Sequence, residues 1–136
     1  MQGDPVQLWE FAARYTAAWC SQDAASVAAF FAIDGSLTIN GGIPSVGQEA
    51  ITAAAQSFMT AFPDLRVEME DLVVNGEEVE YRWRLLGTHA GPGGTGNQVD
   101  IRGFERWQFG ADGRIASSQG RFDSAEYQKQ LEHGAR

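Results

Sequence analysis

The sequence predicts an α+β domain: a curved antiparallel sheet packed on N-terminal helices, forming a cone around an apolar pocket. Three observations predict it. Apolar residues recur at a helical spacing of about 3.6 in the first half and switch to about 2 after Pro63. The later strand-like runs are joined by Asn75-Gly76 and Asp112-Gly113, turn pairs that fold neighbouring strands antiparallel. Helices first and strands second is the α+β arrangement.

The elements follow in order. Asp4-Pro5 reads as an N-cap followed by proline at the first helical position. Leu8, Phe11, Tyr15 and Ala18 or Trp19 then make an amphipathic stripe. Asp23 caps a short helix from Ala24 to Phe31, Asp34-Gly35 is a turn, and Ser36 to Asn40 is a short strand broken by Gly41-Gly42-Ile43-Pro44. Gln48 to Phe62 is a third helix with Ile51, Ala54, Ala55, Phe58 and Phe62 on its apolar face, stopped by Pro63. Strands follow around Val67 to Val73, from Glu77 to His89, from Val99 to Phe109 and from Arg114 to Phe122. A helix from Ser124 to Leu131 comes last.

Residues 1–136 make one domain, long enough to bury a core without disulfides. The formal net charge of -8 argues against nucleic acid and anionic membranes, whose binding rests on basic surface. Cys20 is the single cysteine, and neither a basic-plus-apolar leader nor a membrane-length apolar run is visible, so the cytoplasm is the default expectation. Two histidines and one cysteine do not assemble a zinc site of the usual kind, and the 18 acids show no spacing that supports a hard cation; no metal is expected. His133 lies in a polar tail. Gly91-Pro92-Gly93-Gly94-Thr95-Gly96 has the spacing of a dinucleotide-binding turn, but it follows a late strand and precedes another strand, so it reads as a loop.

Few residues remain for chemistry. His89 ends one strand and Asp123 ends another, and in a curved sheet the two meet at a pocket mouth. A histidine and a carboxylate there run proton transfer without metal or cofactor. Ile115, Ser117, Gln119, Arg121 and Asp123 share one strand face, expected to be concave. Tyr81, Trp83, Leu85 and Gly87 share the face of His89. Asp123 with Glu126 three residues on also fits a helix-start capping pair, and the two roles are compatible. His89 equally fits a structural histidine bound to a backbone carbonyl. Asn40 ends the first strand, where it either orients a substrate carbonyl or serves the Gly41-Gly42 turn. Arg82, Arg84, Arg102 and Arg106 pair with Glu68, Glu70, Glu80 and Asp100 across the outer sheet face.

Ala61-Phe62-Pro63-Asp64-Leu65, Gly87-Thr88-His89-Ala90-Gly91 and the run from Gly113-Arg114-Ile115 to Asp123 resemble the SnoaL-like polyketide cyclase family, within the nuclear-transport-factor-2-like, cystatin-like cone superfamily. The Trp19, Asp23, Phe30 and Asp34-Gly35 spacing fits that superfamily too. The resemblance implies a cofactor-free intramolecular aldol closure, with an aspartate of the last strand as acid–base, here Asp123, and a histidine of a neighbouring strand assisting, here His89. The superfamily also holds steroid isomerases, epoxide hydrolases and non-catalytic binders.

The expectation is a cofactor-independent enzyme cyclising or isomerising a small hydrophobic carbonyl compound through Asp123 and His89. The alternatives are a non-catalytic small-molecule binder or an epoxide hydrolase. The cavity walls are expected from Trp19, Phe30, Phe58, Phe62, Trp83, Trp107 and Ile115, and Asn40, Gln119 and Arg121 are added as substrate contacts. A homodimer through the outer sheet face is expected.

Overall fold

In the computed structural model, which describes residues 5–135, the chain folds as a six-stranded curved sheet, unclosed, with helices on its concave side. The elements are α1 (Pro5–Cys20), α2 (Ala24–Ala28), β1 (Phe31–Ile39), β2 (Ser45–Val46), α3 (Gln48–Ala61), β3 (Arg66–Asn75), β4 (Glu78–Thr88), β5 (Gln98–Phe109), β6 (Ile115–Phe122) and α4 (Ser124–His133). The strand order is β2-β1-β6-β5-β4-β3. β3 to β6 form an antiparallel meander, and β1 joins it by pairing parallel to β6. Asp4, expected as the first cap, lies outside the described residues.

The helical stripes pack as their spacing predicts. Leu8, Phe11, Tyr15, Ala18 and Trp19 of α1 are buried, as are Ile51, Ala55 and Met59 of α3. Four local expectations are corrected. α2 stops at Ala28, and β1 begins at Phe31, five residues before the expected strand start. Asp34-Gly35 is no turn but part of a bulge inside β1, where a Cβ on Gly35 would meet the Ile115 carbonyl oxygen at 2.7 Å. Asp23 precedes α2 without a side-chain cap bond. The two-residue hairpin loop is Gly76-Glu77, closed by the Asn75–Glu78 pair, with Gly76 at positive φ.

The outer face of the meander carries the expected cross-strand ion pairs: Arg84 with Asp100, Arg102 with Glu70, and Arg82 and Arg106 both with Glu80. Arg82, Arg102 and Arg106 are exposed, so their pairs add little to stability. Burial on the inner face does that work. Trp107 stacks on Tyr81 with ring centroids 4.8 Å apart, and Tyr15 stands edge-on to Trp107 at 5.1 Å.

Candidate active site

β5 places Val99, Ile101, Gly103, Glu105, Trp107 and Phe109 on its inner face, by simple alternation. Glu105 is the charged exception in that apolar row. Only 7% of it is exposed. Its Oε1 accepts three hydrogen bonds: from Tyr15 Oη at 2.9 Å, Trp107 Nε1 at 2.9 Å and Ser118 Oγ at 2.8 Å. Its Oε2 meets only the longer leg of the Tyr15 hydroxyl, at 3.1 Å. No ion pair reaches Glu105 among the described residues. Burial therefore pushes its carboxyl above the usual carboxylate range, opposed by the three donors. Burial likewise raises Tyr15 and Tyr81, so both phenols stay protonated.

Glu105 lines a partly open cavity of about 60 Å³. The other lining residues are Trp19, Leu37, Ile39, Phe58, Val67, Tyr81, Trp83, Leu85, Ile101, Gly120 and Phe122. Apart from the neutral phenol of Tyr81, Glu105 is the only one with a titratable side chain. The Tyr81 hydroxyl is engaged with Thr16 Oγ1, whose own bond goes to the Ala12 carbonyl. Gly103 stands opposite Trp83 in the β4–β5 pairing, and a Cβ there would lie 2.5 Å from the indole. The bare backbone at 103 is what lets Trp83 lie across the sheet as a cavity wall.

The walls are partly those expected. Trp19, Phe58 and Trp83 line the cavity. Phe62, Trp107 and Ile115 do not; all three are fully buried, and Phe30 packs against the core. Phe62 fills the space left by the missing side chain of Gly87. Trp107 faces into the aromatic cluster and reaches the site only through its N–H bond to Glu105.

Gln119 and Arg121 do not face the cavity. The register between β5 and β6 slips at Ala116: Gln108 pairs with Ser117, but Phe109 pairs with Ile115. One extra residue exchanges the faces beyond it. Ser118, Gly120 and Phe122 therefore point inward, while Gln119 and Arg121 are exposed. Asn40 takes positive φ and its side-chain oxygen accepts the Phe122 backbone N–H, which ties the end of β1 to β6.

The structure gives His89 and Asp123 no hydrogen bond or ion pair to each other among the described residues. Asp123 is exposed and caps α4, accepting the Glu126 backbone N–H at 3.0 Å. His89 contacts Thr95 in the Gly-rich loop through Nδ1 at 3.3 Å and rests against Phe62. Thr95 and Asn97 in turn donate to the Leu131 carbonyl near the end of α4. The two residues thus tie the start and the far end of α4 to the sheet. Asp123→Ala is expected to lose about 1 kcal/mol of stability, and Asp123→Asn much less, because asparagine caps equally well; urea unfolding of both variants checks this.

The family model of the SnoaL-like domain matches residues 12–118. The chain belongs to the SnoaL-like domain family. Glu105 and every cavity wall except Gly120 and Phe122 lie within the matched segment, while Asp123 lies beyond it. Solved structures share the fold of this SnoaL-like domain at low identity. A candidate SnoaL-like polyketide cyclase from Jannaschia sp. CCS1 is similar at 20% identity and TM-score 0.82, over 99% of both chains. A nuclear-transport-factor-2-like protein of unknown function from Burkholderia pseudomallei K96243 is similar at 18% identity and TM-score 0.77, over 90% of this chain and 95% of that one. The epoxide hydrolase/cyclase-like enzyme SalBIII, of pyran ring formation in the polyether salinomycin, is similar at 18% identity and TM-score 0.76, over 91% and 96%. No curated protein matches the chain.

Sequence reasoning missed Glu105. The signal was present: one glutamate among five apolar or glycine positions at alternate places in β5. Among the described residues, no group of three or more His, Cys, Asp or Glu side chains is placed to hold a metal ion.

Proposed function

We propose that this SnoaL-like domain is a cofactor-independent acid–base enzyme of the cyclase or isomerase type, acting on a small hydrophobic carbonyl compound, with Glu105 as the proton-transfer group. The observation that carries this reading is a single buried carboxyl, unpaired with any cation, on the wall of an otherwise apolar cavity. A carboxyl whose proton affinity is raised by burial is suited to exchange protons near neutral pH. In its ionised form it removes a proton alpha to a carbonyl. The neutral carboxyl so formed returns that proton to another carbon or to the oxygen of a closing ring. Tyr15, Trp107 and Ser118 hold Oε1 and leave Oε2 to move the proton.

The test is conversion of cyclopent-3-enone to its conjugated isomer, followed by ultraviolet absorbance. Wild-type protein is expected to accelerate it and Glu105→Gln is not. Equal rates in the two proteins would remove Glu105 from the reaction. Binding of the ketone with no conversion by wild type would favour the non-catalytic binder. The earlier expectation for Asp123 enters the same assay: loss of turnover in Asp123→Asn, with Glu105→Gln fully active, would restore the acid–base role to Asp123.

A further inference from the structure

The carboxyl of Glu105 has two unequal oxygens. Oε1 is saturated by three donors, one of which, the indole N–H of Trp107, can only donate. A proton on the carboxyl therefore resides on Oε2, whose one partner is the longer Tyr15 contact. The remaining walls bring no cation. α1 contributes Trp19 to the cavity and Tyr15 to the carboxyl; β1 contributes Leu37 and Ile39; α3 contributes Phe58; β3 contributes Val67; β4 contributes Tyr81, Trp83 and Leu85; β6 contributes Gly120 and Phe122. Of these, only Tyr15 and Tyr81 are titratable, and both are neutral phenols.

We infer that the cavity selects uncharged molecules that carry a hydrogen-bond acceptor, and that it recognises them through the neutral carboxylic acid form of Glu105, Oε2–H donating to the acceptor. This rests on the reading of Glu105 as the group that meets the substrate, and it adds the charge and polarity of what is bound. The charge limit follows from the walls. An anion would sit in apolar surroundings with no cation to pair with, beside a group that is itself acidic. An acceptor-free hydrocarbon would leave the Oε2 proton without a partner better than Tyr15.

Recognition by a proton that the protein can lose couples affinity to pH. Acceptor binding holds the proton on, so affinity is full while the carboxyl is neutral and falls as pH rises through its folded pKa. Turnover by the ionised form runs in the opposite direction.

The experiment follows the quenching of Trp19 and Trp83, both in the cavity wall, by cyclopent-2-enone and by cyclopentanecarboxylate from pH 5 to pH 9. The enone is expected to bind wild type at least about tenfold more tightly at pH 5 than at pH 9. The carboxylate is expected to bind at least about tenfold more weakly than the enone at pH 7. Glu105→Gln, whose amide nitrogen keeps a donor at the Oε2 position, is expected to bind the enone equally across the range. Equal affinity for enone and carboxylate, or a pH dependence that is flat in wild type or that survives in Glu105→Gln, overturns the inference. The outcomes separate from those of the enzyme reading. Binding as described without conversion of cyclopent-3-enone ends the enzyme reading and leaves this one. Conversion together with tight carboxylate binding does the reverse.

Discussion

Glu105→Gln is expected to lower the rate of proton transfer alpha to a carbonyl by about 10²- to 10⁴-fold, the usual contribution of one positioned acid–base group. The substitution changes little else. The glutamine side-chain oxygen still accepts from Tyr15, Trp107 and Ser118, as Oε1 does now. The same variant is expected to be more stable than wild type at neutral pH. Burial raises the carboxyl in the folded state above its unfolded value. Below the unfolded value both states hold the proton, and the group contributes nothing to pH dependence. As pH rises through the unfolded value, the unfolded chain releases its proton first and folding stability falls. The fall continues until the folded carboxyl ionises as well. Glutamine has no proton to lose and escapes this cost. Thermal unfolding at pH 4 and pH 8 checks the sign: the advantage of Glu105→Gln should be greater at pH 8. An advantage that is absent at pH 8, or larger at pH 4, would mean that the folded protein holds an ordinary carboxylate. A variant that gains stability while losing turnover has the pattern expected when a strained group is kept for function.

The second large effect falls on the residue behind the carboxyl. Trp107→Ala is expected to destabilise the fold by about 3–5 kcal/mol. Trp107 is fully buried, stacks on Tyr81, and meets Phe11, Tyr15 and Phe109 edge to face. Its removal leaves a void that this rigid surround cannot close. It also withdraws one of the three donors to Glu105 Oε1, which raises the proton affinity of the carboxyl further. A total stability of about 5–15 kcal/mol is ordinary for a domain, so this loss is a large share of it. Urea unfolding measures it, and a loss below about 1.5 kcal/mol would mean that the cluster repacks. Trp107→Phe keeps a ring against Tyr81 and should fall between the two proteins.

Much of the architecture was legible because it rests on local periodicity. The stripe of Leu8, Phe11, Tyr15 and Trp19 needs only a helix and an apolar surface to lie on. Pro63 ends α3 through its missing N–H and ring sterics, whatever surrounds it. Asp123 was legible as a cap, because a cap is a contact within three residues.

What the sequence alone determined was the order of helices and strands apart from the two-residue β2, the antiparallel meander, the outer ladder of ion pairs and three cavity walls, Trp19, Phe58 and Trp83. Tertiary structure decided which face of each strand is concave and therefore which polar group meets the cavity. One extra residue at Ala116 turns Gln119 and Arg121 outward and brings Ser118 in, and period-two reasoning cannot see a bulge that only the partner strand defines. Glu105 acquires its chemistry from Tyr15, 90 positions away in the chain, and from Ser118 on the next strand. Burial, and with it proton affinity, is a property of the assembled surroundings. For that reason the acid–base candidate moved from the chain's visible strand ends to a glutamate in the middle of β5.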